Sequence, residues 1–211
     1  MTWLLVPLAF VVGMNLWYLA EYLLHRFAMH ELKGRGMMSH QHLSHHVTAG
    51  WFFDYHHVLS WIGVGLVGGA VWFPLGWWLA GPWVGVALST GWAFGYASYE
   101  WIHAMCHLRA PRNRYQRWVR RHHFHHHFGH PMSNQGVTVG WWDHLFGTSE
   151  LPRTVKIPRR LAKGLAWLLD EDGNLKPEFA EDYELVGSFG SDERQLEIDR
   201  VRAFASQAPT D

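Results

Sequence analysis

The sequence predicts an all-α integral membrane protein, with about three transmembrane helices capped by a cytoplasmic histidine-rich helical bundle. Three observations predict it. Residues 1–20 and 58–99 carry no charged side chain, and a spanning helix takes roughly 20 mostly apolar residues. All 17 histidines lie between residues 25 and 144, in clusters that begin where the apolar segments end. The last 61 residues hold 12 of the 18 acidic side chains, which reads as a soluble tail. The expected division is a membrane-embedded domain over 1–150 and an amphipathic, acidic soluble extension over 151–211.

Trp3 to about Leu24 reads as the first span, with Trp17 and Tyr18 suited to an interface. It lacks the basic start and small-residue cleavage site of a secretory signal, so it is read as an anchor. Residues 26–57 are polar and rich in His and Gly, and are expected outside the hydrocarbon. The uncharged stretch 58–99 would extend ~63 Å as one helix, about twice the hydrocarbon thickness, so it must fold back. Val58–Phe73 is the expected second span, Pro74–Pro82 a turn, and Trp83–His107 the third. Three spans bring every histidine cluster to the side opposite the N-terminus. Arg26, Lys33 and Arg35 follow the first span and Arg109, Arg112, Arg114, Arg117, Arg120 and Arg121 the third, so that side is expected to be cytoplasmic. The arginine run is expected to meet anionic lipid head groups. Ile157–Leu169 shows leucines on one side and basic residues on the other, as an interfacial helix would. A further helix is expected from Asp192 to about Phe204, opened by acidic residues. No internal repeat is evident.

The formal net charge is zero, and no nucleic-acid signature accompanies it, so no nucleic-acid partner is expected. Cys106 is the single cysteine; it cannot form an internal disulfide and is expected to be a small packing residue.

The chemistry resides in histidine spacing. His42, His45 and His46 stand at i, i+3 and i+4, and His123, His126 and His127 repeat that spacing. His103 and His107 stand at i and i+4. Side chains three or four apart are neighbours on a helix face. His25 and His30 are five apart, which an unbroken α-helix serves poorly and a loosened turn or π-bulge would serve well. Ten imidazoles are more than one ion accepts and suggest two metals. Neutral imidazole binds Zn, Cu, Fe and Ni, so spacing alone does not choose among them. Glu21, Glu100, Asp54 and Asp143 lie near histidines and are candidates to accept their free N–H groups; Asp143 is alternatively a tie for its own turn. Trp51, Phe52, Phe53, Trp141 and Trp142 are candidates to line a substrate route.

With H-x4-H, H-x2-H-H, H-x3-H and H-x2-H-H in this order, then NQGVTVGWWDHLFGT at 134–148, the chain resembles the fatty acid hydroxylase/sterol desaturase superfamily of membrane non-haem di-iron oxygenases. The resemblance covers roughly residues 15–150. It implies that His25, His30, His42, His45, His46, His103, His107, His123, His126 and His127 bind two Fe ions, with Zn as a possible substitute, at the cytosolic face. HLSHH is also similar to the carotenoid hydroxylases of the same superfamily. His40, His56, His57, His122, His125, His130 and His144 exceed the family's ligand count, so His122 or His130 is open as a replacement, and three spans are fewer than the four of many relatives.

The activity so implied is O2-dependent hydroxylation, or a related oxidation, of a lipid C–H bond, with a fatty acyl chain as the leading substrate and sterol or carotenoid oxidation as alternatives. No haem, flavin or nicotinamide motif is present, so an external electron donor of ferredoxin or cytochrome type is expected. Two readings from other classes remain: a zinc membrane hydrolase, active without O2, and a metal transporter, which the uncharged stretch 58–99 disfavours.

Overall fold

The computed structural model describes residues 2–188, 190 and 192–210. Among these the chain is mostly helical, and its contacts divide it into two compact units, residues 1–21 with 52–102 and residues 22–51 with 103–211.

The first unit holds the apolar helices. Helix α1 (Thr2–Leu23) is uncharged until Glu21. Helix α3 (Tyr55–Val67) passes through a π-helical segment, Gly68–Trp72, into α4 (Phe73–Ala80) without a break. The expected turn at 74–82 is therefore a single residue, Gly81, whose φ of +96° suits glycine. Pro74 follows directly on the π segment within this continuous helix, where the hydrogen-bond ladder is already interrupted. Helix α5 (Pro82–Leu108) returns over 27 residues. Among the described residues two helices, Leu4–Glu31 and Tyr55–Ala80, are long and apolar enough to cross a membrane; α5 is as long but carries Ser89, Thr90, Ser98, Glu100 and two histidines.

Glycines let these helices approach closely, as small residues do in membrane bundles. A Cβ on Gly13 would stand 2.1 Å from the Leu88 carbonyl oxygen, and one on Gly91 2.1 Å from that of Phe10. Ala9, Val84, Ala87 and Leu88 are buried at this crossing. Trp17 and Tyr18 are buried rather than interfacial. The Trp17 ring lies edge-on to Tyr96 at 4.8 Å, in space that Gly95 leaves open, and Tyr18 Oη meets Ser98 Oγ at 3.3 Å. Glu100 accepts from Trp61 Nε1 at 3.0 Å and Tyr96 Oη at 2.8 Å, partners that offset the cost of a carboxylate near apolar surroundings.

The second unit begins where α1 runs into a second π-helical segment, Leu24–Glu31. It continues with α2 (Met37–Thr48), the end of α5, α6 (Arg114–Phe128) and the short α7 (Trp141–Phe146). Asn113 caps α6 by accepting the Gln116 N–H at 2.8 Å. Strands β1 (Val155–Pro158) and β2 (Tyr183–Val186) pair in parallel, with Val155 opposite Tyr183, and between them lie α8 (Arg159–Ala162) and a 3₁₀ turn, Pro177–Phe179. The chain closes with α9 (Glu193–Phe204), capped by Asp192, as its acidic start predicted.

The interfacial helix expected over Ile157–Leu169 is not formed. Val155 and Ile157 are β-branched and pair as a strand, and Pro158 leaves it with extended backbone (φ −59°, ψ 126°). Leu161, Leu165 and Leu168 are buried in a core with Phe124, Trp167 and Tyr183, so the apolar stripe was a core signal. Trp167 donates Nε1–H to the Cys106 carbonyl at 3.2 Å, and the Cys106 thiol is buried there as packing. Half of the arginine run is also taken up by partners within the protein. Arg117 and Arg121 pair with Asp182 at 2.7 and 3.5 Å, and buried Arg120 donates to the carbonyls of Met105, Arg109 and Gln116. Arg109, Arg112 and Arg114 remain exposed.

Candidate metal centre

The ten histidines converge in two groups of five. His25, His30, His42, His46 and His126 form one, and His45, His103, His107, His123 and His127 the other; within each, one nitrogen per ring lies within 4.8 Å of all the rest. Eight of the ten are buried, and His45 and His103 are half-buried.

Local structure explains how each ring arrives. The π segment, bonded i to i+5, sets His25 and His30 one above the other, as their five-residue spacing requires. On α2, His42 and His46 point into the first group and His45 into the second. On α6 the pattern inverts, with His123 and His127 in the second group and His126 in the first. Each H-x2-H-H set thus serves both groups, and a two-fold pattern emerges that residue identities do not advertise. The rings of His46 and His127 stack at 4.0 Å with 7° between planes, where the groups adjoin.

Protonation follows from the outer nitrogens. Nδ1 of His25, His45, His107 and His126 faces the carbonyls of Gln135 (2.5 Å), Gly50 (2.7 Å), Ala49 (2.9 Å) and Ser133 (2.8 Å). A carbonyl only accepts, so each Nδ1 carries the hydrogen and each Nε2 presents a lone pair. Burial, then the neighbouring imidazoles, holds His42, His46, His123, His126 and His127 well below the usual histidine range. They are neutral at pH 7.

The inner nitrogens fit a cation. His42 Nε2 lies 3.0 Å from that of His25, 2.8 Å from His30 and 3.0 Å from His46, while His126 Nε2 lies 3.0 and 3.1 Å from His30 and His46. In the second group, the His45–His103 and His107–His123 pairs stand at 3.1 and 2.9 Å. An Nε2 carries at most one hydrogen, so these close contacts cannot all be hydrogen bonds. Both nitrogens of buried His127 have no hydrogen-bond partner among the described residues. Ligands at right angles, ~2.0–2.1 Å from one ion, stand about 2.9 Å apart, which is the spacing seen. The donor set therefore fits a metal ion in each group.

The outer partners found on histidine Nδ1 atoms of both groups are mainly main-chain carbonyls, which leave no mark in sequence. Asp143, fully buried, accepts from the backbone N–H of Gln135 at 2.7 Å and Gly136 at 2.9 Å and from Thr148 Oγ1 at 2.8 Å. It ties down the turn and so fixes the carbonyl that receives His25. Burial pushes its carboxyl up to about 6, against the pull of those bonds. Glu100 is held by Trp61 and Tyr96, Glu21 is buried in the first unit, and Asp54 caps α3 while bonding His56 and His57. His122 and His130 join neither group: His122 is buried 3.8 Å from Asp143, and His130 and His125 share Glu150 at 2.8 and 3.1 Å.

Comparison with known proteins agrees with this arrangement. Residues 10–148 match the family described as fatty acid hydroxylase. The chain is 32% identical over 149 residues to fatty acid 2-hydroxylase of Homo sapiens, covering 67% of this chain and 39% of that protein. It is 29% identical over 153 residues to the ceramide very long chain fatty acid hydroxylase scs7 of Schizosaccharomyces pombe, covering 66% and 41%. It is 30% identical over 166 residues to the dihydroceramide fatty acyl 2-hydroxylase FAH1 of Arabidopsis thaliana, covering 74% and 65%. The chain spans about two fifths of the length of the human and fission yeast relatives. A solved structure described as full-length scs7p, with only the hydroxylase domain visible, superposes with a TM-score of 0.50 at 25% identity, covering 70% of this chain and 57% of that one.

Proposed function

The chain belongs to the fatty acid hydroxylase family, and from that premise we propose that it is a membrane oxygenase that hydroxylates a fatty acyl chain with O2, using two iron ions held by the ten histidines. The observation that carries this reading is the pair of five-imidazole groups. Five nitrogen donors at near right angles exceed the four of a tetrahedral structural zinc site and suit iron better. Iron bound there would supply the oxidation of an unactivated C–H bond, in which R–H, O2, two electrons and two protons give R–OH and water.

The chain's own residues do the rest. The carbonyls of Ala49, Gly50, Ser133 and Gln135 fix four imidazoles as Nε2 donors, and burial keeps the eight buried donors neutral. Relatives named as 2-hydroxylases of fatty acids and dihydroceramide fatty acyl groups support the carbon next to the acyl carbonyl as the target, on a free or ceramide-bound chain. Trp141, Leu145 and Phe146 are exposed on α7 and offer an apolar face to such a lipid. The excess of Lys and Arg after the first and third apolar helices supports a cytoplasmic histidine side. Exposed Arg109, Arg112 and Arg114 suit an acidic ferredoxin- or cytochrome-type donor.

The test is metal analysis of purified protein together with lipid analysis of expressing cells under ¹⁸O2. Two irons per chain and a 2-hydroxy acyl lipid bearing ¹⁸O are expected. Turnover without O2, or full activity with zinc alone, would replace the oxygenase with a hydrolase; a labelled sterol or carotenoid would keep the chemistry and change the substrate.

A further inference from the structure

We propose that Ser206, carried at the end of α9, is a positioning residue for His30, and that residues 192–210 form a clasp completing one histidine group and not the other. The proposal rests on the metal-binding reading above. Residues 192–210 lie outside the 10–148 span that matches the family, so the family pattern does not supply the clasp.

Ser206 is buried at 9% exposure, and its hydroxyl meets His30 twice. It donates to the His30 carbonyl at 3.1 Å and lies 3.2 Å from His30 Nδ1. Its one hydrogen is committed to the carbonyl, so it accepts from Nδ1–H and leaves the His30 Nε2 lone pair facing His42 and His126. Ser206 has φ +55°, a conformation that glycine adopts with less strain. Serine stands there with its hydroxyl on His30.

The rest of the clasp holds Ser206 in place. The Phe204 ring fills the space beside Gly34, where a Cβ would come within 2.5 Å of it, and meets His40 edge-on at 5.3 Å. Arg160 of α8 grips Asp199 of α9 with two 2.7 Å bonds and donates to the Thr210 carbonyl at 2.8 Å. In the other group, the Nδ1 partners of His45 and His107 are the carbonyls of Gly50 and Ala49, far from this segment in sequence. Loss of the clasp should therefore act on one ion and not on the other.

The experiment compares full-length wild type, Ser206→Gly and Ser206→Ala, each loaded with Co²⁺ or Fe²⁺. It follows metal per chain during a chelator challenge, the Co²⁺ absorption bands, and thermal unfolding. Ser206→Gly is expected to release one of two ions about tenfold faster, to shift the bands of that ion alone, and to unfold no earlier than wild type. Ser206→Ala should release the same ion at the same raised rate, since both variants lack the hydroxyl while only alanine carries the strain. Two ions leaving Ser206→Gly at wild-type rates, or both leaving faster together, would overturn the clasp while sparing the metal reading. A wild type that binds no metal would overturn both.

Discussion

The Arg160–Asp199 pair gives the sharpest energetic test of the second unit. Both side chains are nearly inaccessible, at 5% and 3% exposure, and meet through two parallel 2.7 Å contacts. Exposed ion pairs contribute about 0–1 kcal/mol. Here removal of one partner strands a buried charge, which costs ~3–5 kcal/mol. Among the described residues, Asp199→Ala leaves the guanidinium only the Thr210 carbonyl and Arg160→Ala leaves the carboxylate only the Gln195 amide at 3.0 Å, so each single variant should fall in that range. For a chain of this size, 3–5 kcal/mol lowers the unfolding midpoint by roughly 6–20 °C. Arg160→Ala with Asp199→Ala removes both charges and should cost no more than about half of the two single losses together, because no charge is then stranded. The assay is thermal unfolding in detergent by circular dichroism, at fixed metal concentration, with a double-mutant cycle. A cost below about 1 kcal/mol for either single variant, or a double variant equal to the sum of both, would refute the reasoning.

Other consequences are as direct. His126→Ala and His127→Ala remove one donor from different groups, so each should lower metal content toward one ion per chain and the double variant toward none; a single variant that loses both ions would show the groups to be interdependent. Asp143 titrates near 6 folded against 3.8 unfolded. The folded chain then binds that proton more tightly, so this contribution to stability is full below pH 3.8 and lost as pH rises through 6. In chelator-treated protein the stability of wild type relative to Asp143→Asn should fall by roughly 2.4 kcal/mol between pH 4 and 7, and a flat difference would exclude it. Gly91→Val drives a side chain into the Phe10 carbonyl whereas Gly63 has nothing within 4 Å. The first should abolish monodisperse protein on gel filtration and Gly63→Val should not.

What sequence made legible was whatever depends on side-chain type and short spacing. The histidine sets, the π-helical join between His25 and His30, and the capped C-terminal helix all follow from local rules. What it hid depends on the main chain or on long-range partners. The carbonyls of Ala49, Gly50, Ser133 and Gln135 belong to residues with no shared chemistry, so no pattern announces that they orient imidazoles. The leucine stripe at 157–169 read as helix because its spacing fits one, but β1 needed β2, 28 residues downstream by the Val155–Tyr183 pairing, to become a strand. Arg117 and Arg121 looked free because Asp182 is distant in sequence.

The two-fold pattern of donors sharpens the chemistry. One group takes two rings from the π segment, two from α2 and one from α6; the other takes two from α5, two from α6 and one from α2. In both H-x2-H-H sets it is the middle histidine that crosses over, because three residues along a helix turn a side chain about 60° short of a full circle and four carry it 40° past. Helices α2 and α6 are thus cross-braced, and neither can shift without disturbing donors in both groups. Since each group presents five imidazoles, a difference between them must come from exposure, where His45 and His103 are half-buried, or from the outer partners. Their known outer partners do differ: Gln135, Ser133 and Ser206 serve the first, Ala49 and Gly50 the second. Inequivalent behaviour of two ions, such as unequal release or distinct spectra, should therefore respond to changes at the outer partners while the ten histidines stay untouched.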